Sequence, residues 1–119
     1  MTTKEIAVRL TELCRQGDFE TAQKELYAED VVSIEPVASP AFEKETKGLP
    51  AIIEKGHKFN EMVEKMNAIT VSDPVVASNS FALTMRLDAV MKGQGPMDMS
   101  ELCIYKIKDG KIISEEFVM

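Results

Sequence analysis

The chain has 119 residues, 45% of them hydrophobic, which suits one globular domain over residues 1–119 and excludes a disordered chain. Its 20 acidic and 14 basic residues give a formal net charge of −6, which repels phosphate backbones, so we expect no nucleic-acid partner. No apolar run approaches the roughly 20 residues of a membrane span. The charged N-terminal segment is unlike a signal peptide, so we expect a cytoplasmic protein with no membrane partner.

Two short helices are predicted first. Thr2 and Glu5 have the spacing of a capping box, and the apolar residues after them repeat at helical intervals. Gly17 should end this helix, and Asp18 can cap a second helix that runs through about Tyr27.

A short strand, a loop and a third helix should follow. The β-branched residues of 31–36 predict a short edge strand, and the polar segment 39–47 predicts a loop. Pro50 suits the first turn of a helix that we expect to run to about Met66. Its apolar positions are Ile52, Gly56, Phe59, Val63 and Met66.

The rest of the chain has the alternation of β-strands. From Phe81 to Met91 every second residue is apolar, and turn-forming residues separate this segment from its neighbours. The predicted strands lie near residues 68–77, 80–91, 97–107 and 111–118. Helices followed by an antiparallel meander, without alternation of strand and helix, predict an α+β fold.

Four segments carry a resemblance to a known family. These are Leu26–Val31 (Leu-Tyr-Ala-Glu-Asp-Val), Ile34–Val37 (Ile-Glu-Pro-Val), Gly48 before the third helix, and Lys108–Ile113 (Lys-Asp-Gly-Lys-Ile-Ile). In order and spacing the chain resembles the nuclear transport factor 2-like superfamily, in its SnoaL-like and ketosteroid isomerase-like branch. The resemblance implies a cone-shaped fold in which three helices pack on a strongly curved, mixed but mainly antiparallel sheet that encloses a pocket.

The resemblance also indicates a candidate catalytic base. In ketosteroid isomerases a catalytic carboxylate precedes the proline that ends the first strand, and here Glu35 precedes Pro36. A carboxylate in an apolar cavity is partly desolvated, which suits it to remove a proton next to a carbonyl. The alternative is that Glu35 points to solvent. The isomerases' tyrosine and aspartate oxyanion donors would fall near Leu10 and Cys103, which cannot replace them, so steroid isomerisation is not expected.

Two further polar residues are candidates for catalysis. His57 is the only histidine and flanks the apolar stripe of the third helix, where it could act as an acid or base or simply be a surface residue. Glu101 interrupts an apolar face of its strand, so it either lies in the cavity or on an outer face. With no second histidine and no metal-like cysteine spacing, we expect no metal site and two free cysteines.

The apolar lining of the pocket can also be predicted. Methionine is flexible and adapts to varied apolar ligands, although core filling is the simpler explanation for most of the eight methionines. The predicted ligand-binding residues are Phe59, Met62, Met85, Met99, Cys103 and Tyr105.

Three functions remain open on the sequence. The first is a cofactor-independent isomerase, cyclase or lyase that acts on a small hydrophobic carbonyl compound, with Glu35 or Glu101 as base and His57 or Tyr105 as polar partner. The second is a non-catalytic domain that binds a small hydrophobic ligand or is purely structural. The third is an interaction module that uses the outer face of the sheet, where Leu102 and Ile104 should favour a homodimer.

Overall fold

The computed structural model describes all 119 residues and has three helices and seven strands. The helices are α1 (Thr3–Arg15), α2 (Phe19–Leu26) and α3 (Leu49–Met62). The strands are β1 (Tyr27–Ile34), β2 (Glu45–Lys47), β3 (Val63–Val71), β4 (Val75–Ala77), β5 (Ser80–Met91), β6 (Gly95–Lys108) and β7 (Lys111–Val118). The α+β class is therefore confirmed. None of the three helices is long and apolar enough to cross a membrane.

The start of α1 forms as its sequence predicts. The Glu5 backbone N–H donates to the Thr2 hydroxyl at 3.1 Å, and the Glu5 side chain accepts from the Thr2 N–H at 2.8 Å. This capping box satisfies two N–H groups that would otherwise lack a partner. The helix is followed by Gly17 at φ +78°, a conformation that glycine adopts without strain.

One mixed sheet contains all seven strands. Its order is β2-β1-β7-β6-β5-β3, and β4 pairs with the remaining part of β5. Every pairing is antiparallel except that between β1 and β7, which is parallel. The prediction of a mixed, mainly antiparallel sheet is confirmed. The parallel pair places the first strand directly beside the last.

The prediction for the first strand was wrong in its position. β1 begins at Tyr27, which we had assigned to the second helix, and it lies between β2 and β7 rather than at an edge. The reason is that Glu45–Lys47, inside the predicted loop, turns back and pairs with β1 as the edge strand. The Gly48 N–H extends this contact by donating to the Val31 carbonyl at 2.8 Å.

The third helix is shorter than its apolar spacing predicts. It ends at Met62 instead of Met66, because β3 begins at Val63, which pairs with Met91 at the far end of β5. The hydrogen bonds of that pairing outweigh a local preference for helix. The predicted strand at 68–77 is in fact two strands, β3 and β4, with a break at residues 72–74.

Side chains alternate between two faces of the sheet. On β5 the odd-numbered residues from Phe81 to Met91 are buried, as predicted. On β6 the odd-numbered residues likewise face inward, whereas the even-numbered ones from Pro96 to Leu102 are exposed. The inward faces and the apolar sides of the helices form one hydrophobic core.

An irregularity in β7 disturbs this alternation. Lys106 pairs with Ser114 and Ile107 pairs with Ile112, so Ile113 is an extra residue in the ladder. This is a β-bulge, in which two residues of one strand face one residue of the other. As a result Ile112 and Glu115 are both buried although they are three positions apart.

Candidate functional site

A cavity of about 290 Å³ lies between helices α2 and α3 and the inward face of the sheet. Its size is close to the roughly 300 Å³ at the lower end of small-molecule sites. Most of its lining is apolar. The apolar side chains are those of Cys14, Phe19, Tyr27, Phe42, Ile52, Ile53, Phe59, Met85, Leu87, Met99, Tyr105, Phe117 and Met119.

Three carboxylates line this cavity on its sheet side, one just after β1 and two on strands. Glu35 follows β1 and continues the inward alternation of Val31 and Ser33. Glu101 lies on the inward face of β6, which settles the face that the sequence left open. Glu115 on β7 turns inward because of the bulge. The strand order β1-β7-β6 places the three residues on adjacent strands, with Glu115 opposite Tyr105 and Glu101 four residues from Tyr105 along β6.

Glu115 is fully enclosed and held by two hydroxyl groups. The Tyr27 hydroxyl donates to Oε1, and the Ser33 hydroxyl donates to Oε2 at 2.6 Å. The parallel pairing of β1 and β7 puts Ser33 opposite Glu115 in register. Burial raises the pKa of Glu115, and the two hydroxyl groups oppose this rise because they stabilise the charged form. Burial and the adjacent carboxylate raise the pKa of Tyr27 well above its ordinary value.

Lys55 connects Ser33, the partner of Glu115, with Glu35 in the cavity lining. It lies three residues after the buried Ile52, so α3 turns both toward the sheet. Its Nζ donates to the Ser33 hydroxyl at 2.8 Å and to Glu35 Oε1 at 3.0 Å. The Lys55 and Glu35 side chains are only 15% and 25% exposed, so this ion pair is largely shielded from solvent. Lys55 Nζ also lies 5.8 Å from the centre of the Phe117 ring.

Glu101 is the cavity carboxylate without a cation or hydroxyl partner. It forms no salt bridge, and its one hydrogen-bonding neighbour is the Cys103 thiol, whose Sγ lies 4.0 Å from Oε1. Burial raises the pKa of Glu101 to about 7, helped by repulsion from Glu35 and Glu115 and opposed by Lys55. At neutral pH the group can therefore both accept and release a proton.

His57 lies at the mouth of the cavity, half-exposed. Its Nε2 contacts Glu20 on α2, and its Nδ1 is 3.6 Å from Glu54 on its own helix. The hydrogen bond to Glu20 raises the pKa of His57, and the charges of Glu20 and Glu54 add to the rise. The imidazole thus connects two helices at the entrance and makes no hydrogen bond to Glu35, Glu101 or Glu115.

The structure brings together most of the residues that the sequence indicates. Cavity lining is contributed by Glu35, His57, Phe59, Met85, Met99, Glu101 and Tyr105. Two predicted ligand-binding residues do not line the cavity. Cys103 is fully buried within the core, and Met62 is the last residue of α3, which ends earlier than predicted.

Four polar residues of the site were not indicated by the sequence: Tyr27, Ser33, Lys55 and Glu115. Counting by twos from the buried Ile112 would point Glu115 outward, and nothing in the sequence marks the bulge that reverses this. Tyr27 stood in a predicted helix. The apolar repeat of α3 passes over Lys55, although its spacing from Ile52 and Phe59 is a signal that it shares their face.

The positions where the family resemblance places oxyanion donors are apolar. Leu10 and Cys103 both belong to the hydrophobic core. No group of three or more histidine, cysteine, aspartate or glutamate side chains is arranged to hold a metal ion. Both cysteines are unpaired and buried, and burial raises the pKa of each thiol, which disfavours the reactive thiolate form.

Comparison with solved structures supports the same fold along the whole chain. A protein from Mesorhizobium loti, described as a SnoaL-like polyketide cyclase, is 33% identical, with a TM-score of 0.92 over 100% of both chains. A Bacillus subtilis protein described as an isomerase is 20% identical, with a TM-score of 0.74 over 99% of this chain and 88% of that one. An NTF2-like protein of unknown function from Burkholderia pseudomallei is 13% identical, with a TM-score of 0.79 over 98% and 90%. The last two show the fold alone.

Family membership follows from the sequence match. No curated protein matches the chain significantly. The SnoaL-like domain, however, matches residues 1–119. The chain therefore belongs to the SnoaL-like domain family.

Proposed function

We propose that the cavity catalyses cofactor-independent proton transfer on a small hydrophobic carbonyl compound, in an isomerisation, cyclisation or lyase reaction with Glu101 as the acid–base. The observation that carries this proposal is the placement of Glu101. It is a carboxylate in a mostly apolar cavity, and no lysine, arginine or hydroxyl group holds it in the charged form. A base of this kind is most effective when its pKa lies near the working pH.

The other carboxylates are less suited to be the base. Glu35 is bound to the Lys55 ammonium, and Glu115 receives hydrogen bonds on both oxygens. We assign Glu35 the role of holding Lys55, and His57 a role at the entrance beside Glu20. Tyr105, which stacks on Phe81 with ring centres 4.8 Å apart, would form part of the wall against which the substrate packs.

The lining and the volume support a small, flat and apolar substrate. Phe59, Met85 and Met99 supply apolar contact surface. No bound cofactor is required for a step in which a carboxylate moves a proton. The relative from Mesorhizobium loti, at 33% identity, is described as a polyketide cyclase, which supports carbonyl chemistry of this type.

A non-catalytic ligand-binding domain is the second candidate. The observation in its favour is that Leu10 and Cys103, at the expected donor positions, are buried and apolar. In that case the cavity would hold a hydrophobic molecule without changing it. The two candidates differ in one measurable property, the exchange of protons on a bound carbonyl compound.

The test is deuterium incorporation next to the carbonyl group, followed by NMR in D₂O over a panel of small enolisable ketones. With the wild-type protein the exchange rate should increase with pH and level off above about 7, as Glu101 loses its proton. Glu101→Gln should slow exchange at least about a hundredfold, which corresponds to roughly 2.7 kcal/mol of barrier.

Two variants serve as controls in this assay. Glu64→Gln makes the same chemical change on the exposed side of β3 and should have no effect. Glu35→Gln should slow exchange less than Glu101→Gln does, because it removes a partner of Lys55 and not the base. Two results would contradict the catalytic proposal and favour the binding domain. One is exchange that survives in Glu101→Gln, and the other is the absence of exchange above the buffer rate for every ketone of the panel.

A further inference from the structure

Lys55 is the only lysine or arginine side chain in the lining of the cavity. An ammonium group has three N–H donors and no acceptor. The Ser33 hydroxyl and Glu35 Oε1 occupy two of these donors, at 2.8 and 3.0 Å. One N–H therefore remains for an oxygen atom of a bound ligand.

The direction of the ammonium group is fixed by its neighbours. The Ser33 hydroxyl has a single proton and donates it to Glu115, so it can only accept from Lys55. Glu35 holds the ammonium from a second side, and the Phe117 ring lies 5.8 Å from Nζ. A donor that is held in place before the reaction stabilises developing charge without the cost of reorientation.

This arrangement offers a hydrogen-bond donor for an oxyanion, which the apolar side chains of Leu10 and Cys103 cannot provide. We propose that Lys55 is the oxyanion donor of the site, the group that donates a hydrogen bond to the oxygen on which negative charge develops. This inference rests on the proposed function, since it concerns the charge produced when Glu101 acts as base. It adds the group that stabilises the product of that step.

The step balances within the cavity. The C–H bond breaks and its proton passes to Glu101. The electron pair of that bond forms a carbon–carbon double bond, and the π pair of the carbonyl moves to oxygen, where Lys55 donates a hydrogen bond. In a β,γ-unsaturated compound, return of the proton from Glu101 to the γ carbon completes an isomerisation. In a dicarbonyl compound, the enolate carbon attacks the second carbonyl of the same molecule, the π pair of that carbonyl moves to its oxygen, and this oxygen takes the proton from Glu101 to complete a cyclisation.

The probe for this inference is 4-nitrophenol, which resembles an enol and is coloured only as the phenolate. Transfer of its proton to Glu101 and binding of its oxygen by Lys55 would imitate the reacting state. At about pH 6, where the free phenol is mostly neutral, the wild-type protein should bind it with the phenolate absorption. The bound fraction is measured independently by calorimetry.

The decisive variant is Glu35→Gln combined with Lys55→Gln. The double change keeps the net charge of the cavity and a side-chain amide that can donate to Ser33, so it avoids the unpaired charge that Lys55→Gln alone would leave. We expect it to lower the phenolate fraction of the bound probe at least about tenfold. Lys65→Gln, an exposed lysine on β3, is the control and should leave the fraction unchanged.

Three results would overturn the inference: wild-type protein that binds the probe as neutral phenol, wild-type protein that does not bind it at millimolar concentration, and a phenolate fraction that survives in the folded double variant. Failure of the proposed function is a different result. In that case exchange on ketones survives in Glu101→Gln, while phenolate added at about pH 9 still binds in a Lys55-dependent manner. Circular dichroism of every variant confirms that the fold is retained.

Discussion

Burial of the Glu101 carboxylate lowers the stability of the fold, in addition to its role in the proposed chemistry. The ordinary pKa of a glutamate is 4.5, whereas the pKa of Glu101 in the folded protein is about 7. Between these values the unfolded chain has released the proton and the folded chain keeps it, so unfolding becomes easier as the pH rises. Below about pH 4.5 the carboxyl is neutral in both states and the cost vanishes.

Glu101→Gln should therefore stabilise the protein at high pH only. We expect a gain of up to about 3 kcal/mol in the free energy of unfolding at pH 8, and almost none at pH 4. Urea denaturation at the two pH values measures the difference. Glu64→Gln, on the exposed side of β3, should show no such pH dependence. An equal effect of Glu101→Gln at both pH values would contradict the burial of this carboxyl in the cavity.

The residues of the site differ in how far the sequence could indicate them. Glu35 was indicated by the family resemblance, which places a catalytic carboxylate before the proline that ends the first strand, and Glu101 because it interrupts an apolar alternation. Ser33 and Glu115 depend on which strands become neighbours. Glu115 lies 82 positions from Ser33 and 88 from Tyr27, and the parallel pairing of β1 with β7 cannot be read from the sequence of either strand.

Helices α2 and α3 are joined at the cavity entrance by His57 and Glu20. The hydrogen bond to Glu20 raises the pKa of His57 above its ordinary 6.5. The contact therefore stabilises the fold fully below about pH 6.5, and this contribution is lost as the pH rises through the higher folded-state pKa.

His57→Gln should consequently lower the melting temperature at pH 5.5 and have little effect at pH 9. In the background of Glu20→Gln the same replacement should have a smaller effect at pH 5.5, because the partner is already gone. Differential scanning fluorimetry gives the melting temperatures. An imidazole that titrates at or below 6.5 in a proton NMR experiment would show that the link between α2 and α3 is absent in solution.

Among the helices and strands, features that depend on neighbouring residues were predicted correctly, whereas features that depend on long-range pairing were not. The capping box of α1 and the alternation of β5 depend on neighbouring residues, and both formed as predicted. The predicted end of α3 and the predicted position of β1 were wrong, because strands from distant parts of the chain supplied better hydrogen-bond partners. The bulge at Ile113 belongs to the second group, since it is defined only by the pairing of β7 with β6.

For the whole molecule we expect a homodimer through the outer face of the sheet. Leu102 and Val118 pair directly across β6 and β7, and they are 39% and 42% exposed. With Ile104 on the same face of β6 they form an apolar strip that no helix covers. Burial of such a strip against a second copy is the common arrangement in symmetric dimers.

Light scattering should give the mass of two chains at micromolar concentration, and Leu102→Glu should give the mass of one. Val8→Glu places the same charge on an exposed valine of α1 and should leave the mass of the wild-type protein unchanged. A one-chain mass for the wild-type protein would refute the dimer.

The parallel contact between β1 and β7 has a consequence for the order of events in folding. Glu115 acquires its two hydroxyl partners, and Ser33 its fixed direction toward Lys55, only when the first and last strands have met. Contacts between such distant segments close large loops and are among the slowest to form. A chain in which β7 has not yet docked can have its helices and much of its sheet, but not the polar end of the cavity. The proposed ligand binding and chemistry would thus require the completed molecule, and partly folded chains would lack both.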